Sequence, residues 1–208
     1  MIGIIDYGMG NLFSIRKALE RLDVEHFISD DKRALMHASG LILPGVGSFK
    51  KAMVHLNQLG FTEMVKQYAE QGKPLLGICL GMQLLFERSD ENGHTTGLGL
   101  LPGKVRRLDH SLAYKVPHMG WNNLYYARPS RILSELDEDF VYFVHAYYVD
   151  TDDPDVMIAS CHYGIEVPAI VGKKNIIGMQ FHPEKSGQLG IKLLRNFTEV
   201  VVGRGKAV

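Results

Sequence analysis

The chain has 208 residues, in which 23 lysines and arginines balance 23 aspartates and glutamates, so its formal net charge is 0. This balance excludes binding to nucleic acid or to an acidic membrane through a net positive charge. The 46% hydrophobic and 22% charged residues are typical of a globular protein and exclude disordered and collagen-like classes.

Length and missing motifs set further expectations. We expect one domain, residues 1–208, because single α/β domains reach about 200 to 250 residues. Residues 1–10 lack the features of a secretory signal, and no stretch approaches the roughly 18 uninterrupted apolar residues of a membrane span. We therefore expect a cytoplasmic protein with free thiols at Cys79 and Cys161. Since CxxC and HExxH motifs are absent, we expect no metal and no cofactor.

The first 88 residues alternate short apolar runs with amphipathic segments, which is typical of βα units around a mostly parallel sheet. The predicted fold is therefore α/β, with an open central sheet flanked by helices. Strands are predicted at residues 1–6, 24–29, 40–43 and 74–78. Helices are predicted at residues 12–22, 31–38, 49–58, 61–71 and 80–88.

The C-terminal half is predicted to be β-rich. The acidic and glycine-rich residues 89–99 are expected to form a surface loop. A closing helix is predicted over residues 188–202, where apolar residues recur on one face. Short strands are predicted at residues 104–108, 121–126, 141–149, 156–161, 167–171 and 176–181.

A candidate nucleophile lies where a predicted strand meets a predicted helix. Gly77, Cys79 and Gly81 form a GxCxG pattern, in which the glycines allow a tight, strained turn that exposes the thiol. The positive end of the helix dipole favours the thiolate. The alternative is a buried, inert thiol, which is what we expect of Cys161 because no glycines frame it.

A candidate base lies near the C-terminus, in GMQFHPEKS at residues 178–186. Residues two apart in extended backbone share a face, so His182 and Glu184 are expected to point the same way, with Pro183 stiffening the link. Taken alone, this pair could equally be a polar couple at the surface. Together with the elbow, it predicts a triad of Cys79, His182 and Glu184.

A third segment, LPGVGS at residues 43–48, also follows a predicted strand. Gly45 and Gly47, on either side of Val46, allow backbone N–H groups to face an oxyanion or to rotate towards it. The N–H group of Leu80, after the nucleophile, is a second expected donor. An ordinary glycine turn is the alternative.

These three segments, in this order, resemble the class I (triad) glutamine amidotransferases over nearly the whole chain. Within that family, four stretches resemble the glutaminase subunits that serve histidine biosynthesis: IDYGMGNLFSI (residues 5–15), LPGVGSF (43–49), HMGWN (118–122) and YFVHAYY (142–148). Most other class I members carry a Gly-Gly-Pro type turn in place of Gly45, Val46 and Gly47.

The resemblance implies a mechanism. Cys79 would attack the side-chain amide of L-glutamine, while His182, oriented by Glu184, moves the protons, so that glutamate and ammonia form. The resemblance also implies two further groups of residues. They are an oxyanion site at Gly45, Val46, Gly47 and Leu80, and substrate contacts at Gln83, Glu91, His145, Ala146 and Tyr147. The alternatives are a solvated helix face for Gln83, a loop charge for Glu91 and a structural role for His145.

The resemblance also implies a partner. Ammonia is protonated in bulk water, so it must pass directly to its acceptor. That acceptor is expected in a separate (βα)8-barrel cyclase, because such a barrel takes about 250 residues. The glycines at 45 and 47 further predict a glutaminase that is nearly idle until the partner binds acceptor. The positions that match the family's partner interface are Gly8, Gly10, Asn11, Trp121, Tyr142 and Lys185, although Trp121 could be a core aromatic and Lys185 a solvated charge.

Three other functions compete with this interpretation. A glutaminase for another acceptor, such as anthranilate or guanylate synthesis, is disfavoured by the HMGWN and PGVGSF segments. A cysteine peptidase or γ-glutamyl hydrolase would use the same triad. A regulatory subunit with a dead site is disfavoured by the intact triad. A dinucleotide site at Gly8 and Gly10 fails, because Phe13 stands where GxGxxG requires a third glycine.

Overall fold

The computed structural model describes residues 1–109 and 114–203. Its helices are α1 (Leu12–Arg21), α2 (Lys32–Met36), α3 (Phe49–Gln58), α4 (Phe61–Glu70), α5 (Leu80–Leu84) and α6 (Gly187–Val201). Its strands are β1 (Ile2–Ile5), β2 (His26–Ser29), β3 (Gly40–Leu43), β4 (Leu75–Ile78), β5 (Phe86–Ser89), β6 (Thr95–Thr96), β7 (Leu101–Arg107), β8 (His118–Asn123), β9 (Tyr125–Tyr126), β10 (Phe140–His145), β11 (Tyr147–Asp150), β12 (Met157–His162), β13 (Glu166–Lys173) and β14 (Ile176–Met179).

The central sheet has eight strands in the order β2-β1-β3-β4-β14-β13-β12-β9. Strands β2, β1, β3, β4 and β14 are parallel, and β13, β12 and β9 extend the sheet in antiparallel fashion. The predicted open, mostly parallel sheet flanked by helices is therefore confirmed, as is the β-rich C-terminal half.

Helices cover both faces of the parallel strands. Ile4 packs in a core with Ile15 of α1 and Leu193 of α6. The next residue, Ile5, packs on the other face with apolar residues of α2, α3 and α4. Burial on both faces explains why these strands are continuous apolar runs rather than alternating patterns.

The structure corrects the predicted helix at residues 80–88. Helix α5 ends at Leu84, and the chain continues as strand β5, which pairs in parallel with β7. Both ends of this strand, Phe86 and Ser89, are fully buried. Pairing and burial within a sheet therefore override the helical spacing of the leucines. The adjoining stretch 89–99 is only partly a surface loop, because Thr95 and Thr96 form β6 and Leu98 is buried.

Two predicted strands are each divided between sheets. Residues 121–126 form parts of β8 and β9, and residues 141–149 form β10 and β11 with a break at Ala146. Strands β10 and β8 make a two-stranded sheet, whereas β11 joins the four-stranded sheet β11-β7-β5-β6. Sequence periodicity did not reveal these breaks, because neither segment contains a proline or a turn motif at the point of division.

The strand order brings four loops together at one edge. The segments that follow β1, β3, β4 and β14 all leave from the carboxyl ends of neighbouring parallel strands. This edge is where open α/β sheets bind ligands. Within residues 1–109 and 114–203, no helix is long and apolar enough to cross a membrane.

Candidate active site

Cys79 occupies the sharp turn between β4 and α5. Its backbone angles are φ +55° and ψ −113°, a region that is strained for a residue with a side chain. Its N–H group donates to the carbonyl oxygen of Met179 at 2.7 Å, and its own carbonyl accepts from the N–H groups of Met82 and Gln83 at 3.0 and 3.3 Å. These bonds hold the thiol at the carboxyl edge in the manner of a nucleophile elbow.

The two glycines around Cys79 permit close packing, not positive φ angles. A Cβ atom on Gly77 would lie 2.6 Å from the carbonyl oxygen of Gly81, and one on Gly81 would overlap the carbonyl oxygen of Leu43. Helix α5 therefore starts directly against the ends of β4 and β3. The expectation that the glycines carry the strained turn is corrected, since Cys79 carries the strain itself.

His182 and Glu184 lie together, with Nδ1 of His182 2.8 Å from Oε1 of Glu184. Their side chains are only 5% and 1% exposed, so they are not a surface couple. The expected extended backbone is corrected: residues Pro183–Lys185 form a 3₁₀ helix, which turns Glu184 back onto the imidazole.

The electrostatics favour a charged imidazole. Burial by itself lowers the pKa of His182, but hydrogen bonds with Cys79 and Glu184, together with their charges, raise it overall. His182 thereby joins the nucleophile to the carboxylate and can carry a proton to or from a substrate at Cys79.

The thiol opens into a cavity of about 240 Å³. Of the four expected oxyanion residues, the structure brings Val46, Gly47 and Leu80 to the wall of this cavity. The fourth, Gly45, lies behind the wall, where a Cβ atom would be 2.7 Å from the N–H nitrogen of Gly81. The lining consists of Val46, Gly47, Cys79, Leu80, Gln83, Glu91, Val144, His145, Ala146, Tyr147 and His182.

All five expected substrate contacts reach this cavity. Nε2 of Gln83, which is only 5% exposed and not on a solvated helix face, donates to the carbonyl oxygen of Tyr147 at 2.9 Å. The Glu91 carboxylate accepts from the N–H group of Phe49 at 2.6 Å, so it also caps α3. His145 donates through Nδ1 to the carbonyl oxygen of Tyr147 at 2.9 Å.

The model of the family described as glutamine amidotransferase class-I matches residues 3–200. The chain belongs to this family. One relative, the imidazole glycerol phosphate synthase subunit HisH of Geobacillus sp. (strain WCH70), is 59% identical, and the match covers 99% of this chain and 99% of the relative. The HisH subunit of Bacillus subtilis (strain 168) is 50% identical over 96% of each chain.

Solved structures share the fold at much lower identity. A glutamine amidotransferase crystal structure superimposes with a TM-score of 0.77 at 22% identity, covering 97% of this chain and 98% of its own. A putative GMP synthase component from Thermoplasma acidophilum has a TM-score of 0.71 at 22% identity, covering 98% of this chain and 94% of its own. The central sheet and its flanking helices are thus those of class I glutamine amidotransferases.

The positions matched to the family's partner interface lie beside the amidotransferase site. Trp121 is 55% exposed and packs edge to face with Tyr142, at 6.0 Å between ring centroids, so the alternative of a core aromatic is wrong. Lys185 is exposed on the 3₁₀ helix that follows His182. Gly8 and Gly10 lie in the loop after β1, and Asn11 caps α1 by accepting from the N–H group of Ser14 at 3.3 Å.

Sequence reasoning missed two contributors to the site. Val144 lines the cavity, and Gln180 accepts a hydrogen bond through Oε1 from Nε2 of Gln83 at 3.0 Å. Gln180 is completely buried in a run of apolar residues. The available signal was an amide side chain within an apolar run, because a polar group that becomes buried requires a hydrogen-bond partner.

Proposed function

We propose that this chain is the glutaminase subunit of an imidazole glycerol phosphate synthase, acting in the cytoplasm as a single domain. The observation that carries the proposal is a strained, buried Cys79 beside the bonded pair of His182 and Glu184, at the wall of a cavity. The 59% identity to a HisH subunit over 99% of both chains supports the acceptor chemistry.

The reaction divides into two steps. The Cys79 thiolate attacks the amide carbon of glutamine, and N–H groups of Gly47 and Leu80 stabilise the tetrahedral oxyanion. His182 gives its proton to the leaving nitrogen, so the C–N bond breaks and ammonia leaves a glutamyl thioester. His182 then takes a proton from water, the hydroxide attacks the thioester, and glutamate leaves as the thiolate returns.

Ammonia then passes to a separate (βα)8-barrel cyclase, which forms imidazole glycerol phosphate and aminoimidazole carboxamide ribotide. The docking face includes the exposed Trp121 and Lys185 next to the triad. Because the peptides at Gly45 and Gly47 rotate at low cost, hydrolysis is slow until the partner binds its acceptor.

The decisive experiment is co-purification with the cyclase, followed by glutaminase assays of the isolated chain, the complex, and the complex with acceptor. Cys79→Ser should lower hydrolysis by at least about 10³-fold and abolish labelling by a glutamine-mimicking diazo ketone. Cys161→Ser is the matched control, because Cys161 is buried in β12 and burial raises its pKa to about 12. Hydrolysis that survives in Cys79→Ser would contradict the proposed nucleophile, and full activity of the isolated chain would contradict the coupling.

The docking face has its own test. Trp121→Ala should weaken binding of the cyclase by roughly tenfold or more, since buried tryptophans dominate many interfaces. It should change the free energy of unfolding by no more than about 0.5 kcal/mol, because the side chain is exposed. The control is Phe140→Ala at the far end of β10, where the ring is 54% exposed. Equal effects of the two variants on binding would contradict the assigned face.

A further inference from the structure

Two buried histidines contact each other, one in the lining of the cavity and one behind it. His118 of β8 and His145 of β10 occupy paired positions of the two-stranded sheet and are 2% and 6% exposed. Nδ1 of His118 lies 3.0 Å from Nε2 of His145. The rings of Phe143 and Tyr163 stack on His118 at centroid distances of 4.6 and 3.9 Å. Such packing leaves the His118 ring little freedom to turn.

The partners fix where each proton lies. The carbonyl oxygen of Tyr147 only accepts, so Nδ1 of His145 carries the proton at that 2.9 Å contact, and Nε2 is an acceptor. His118 must therefore donate from Nδ1, which leaves its Nε2 to accept from Nδ2 of Asn122 at 3.3 Å. The orientation of the Asn122 amide follows from a second bond, in which Nδ2 donates to the carbonyl oxygen of His162 at 2.9 Å.

This chain of bonds ends on the cavity wall. The carbonyl oxygen of Tyr147 accepts from both His145 and Gln83. The wall segment crosses from β10 to β11 at Ala146, and so leaves one sheet for another. The Ala146 carbonyl accepts from the backbone N–H group of Leu108 at 2.9 Å, whereas the Tyr147 carbonyl accepts from two side chains, so these side chains help to set its direction.

The arrangement works only while both rings are neutral. An imidazolium at His145 would bring two donors together between the histidines, and one at His118 would bring two donors together at the contact with Asn122. Burial lowers the pKa of His118 to about 4. Burial, followed by the effect of His118, lowers the pKa of His145 to about 3. Both rings are therefore neutral at pH 7, which agrees with the bond directions deduced from their partners.

We propose that His118 and Asn122 are positioning residues for glutamine binding. They hold His145 in its Nδ1–H tautomer, and His145 in turn directs the Tyr147 carbonyl and shapes the wall that the substrate contacts. Both residues lie behind the wall, so they act through His145 rather than by touching glutamine. This inference rests on the proposed glutaminase function, and it adds two residues to the substrate-binding part of that site.

The kinetic test uses the complex with the cyclase and compares two substitutions of one residue. His118→Phe keeps the stacked ring and removes the donor, which leaves Nε2 of His145 unpaired. It should raise the KM for glutamine about tenfold while kcat changes by less than about twofold. In His118→Asn, the amide nitrogen of the new side chain replaces the donor Nδ1. The KM for glutamine should therefore stay within about threefold of its value in the unsubstituted complex. An unchanged KM in His118→Phe, or no rescue in His118→Asn, overturns the proposal.

A spectroscopic test does not depend on activity or on the folding of His118→Phe. Ring ¹⁵N NMR shifts of the unsubstituted chain at pH 7 should report neutral Nδ1–H tautomers for His118 and His145. In Asn122→Asp, the carboxylate should convert His118 to the Nε2–H form or to the imidazolium. An Nε2–H tautomer or an imidazolium in the unsubstituted chain overturns the proposal. If the complex hydrolyses no glutamine, the proposed function fails, whereas the tautomers are still measured.

Discussion

Two walls of one cavity hold buried histidines in opposite protonation states. On the elbow side, His182 is 4% exposed and its pKa is raised; on the opposite side, His145 is 6% exposed and its pKa is lowered to about 3. Equal burial therefore does not decide the charge of an imidazole. The partners decide it: His182 contacts a carboxylate and a thiol, whereas His145 contacts a neutral ring and a carbonyl.

The difference separates the triad from the neighbouring hydrogen-bond chain. The raised pKa belongs to the histidine beside Cys79, and the lowered pKa belongs to the histidine bonded to the Tyr147 carbonyl; the Glu91 carboxylate also lines the cavity. Gln83 joins the two walls, because it follows Cys79 on α5 and bonds to the Tyr147 carbonyl.

The largest expected effect comes from a substitution that removes the charged partner of His182 and so makes its surroundings resemble those of His145. Glu184→Gln removes the negative partner of His182, so the pKa of the imidazole should fall and kcat for glutamine should drop by about 10³-fold. KM should change by less than about threefold. Steady-state assays of the complex and an NMR titration of His182 measure both effects. Glu63→Gln, at an exposed position of α4, is the control. An unchanged pKa of His182 in Glu184→Gln would contradict the conclusion that its partners set its charge.

The second prediction concerns acid stability. The folded pKa values of His118 and His145 lie below the unfolded value of about 6.5, so the unfolded state takes up protons first as the pH falls. Their contribution to stability is present above pH 6.5 and is lost as the pH falls through the window towards 4. Each histidine should remove about 1.5 kcal/mol from the free energy of unfolding between pH 6.5 and 5.

Urea denaturation at several pH values tests this prediction. His118→Asn should reduce the slope of the free energy of unfolding against pH by the equivalent of about one proton. His94→Asn should not, because the His94 side chain is 81% exposed. Parallel curves for the original chain and His118→Asn would mean that the fold does not hold His118 neutral.

The smallest expected effect lies at the residue that joins the walls. Gln83→Met keeps the length of the side chain but removes its bonds to the Tyr147 carbonyl and to Gln180. KM for glutamine should rise about tenfold with little change in kcat, because the triad keeps its contacts. Gln188→Met, at an exposed position of α6, is the control. A fall in kcat with a constant KM would contradict a role of Gln83 in substrate binding and indicate a role in the chemical step.

Prediction from the sequence worked where the information is local. The apolar runs of β1, β3 and β4 identified the parallel sheet, because burial on both faces leaves an uninterrupted signature. It failed at residues 80–88, where leucine spacing indicated a helix and Phe86 instead enters a strand. The sequence also predicted extended backbone between His182 and Glu184, whereas the structure has a 3₁₀ helix there. Pro183 is compatible with either conformation, so the sequence could not distinguish them.

The residue types and the order of the chain were enough to identify Cys79, His182 and Glu184 as candidates and to indicate the family. Each motif consists of neighbouring residues, so the sequence alone shows which side chains can act as nucleophile, base and carboxylate. Only the tertiary structure decided the charge state of each histidine and the alignment of His118, His145 and Asn122. Those properties depend on partners far apart in the sequence, such as Cys79 for His182 and His162 for Asn122, and on the water that packing removes, and no local pattern contains either.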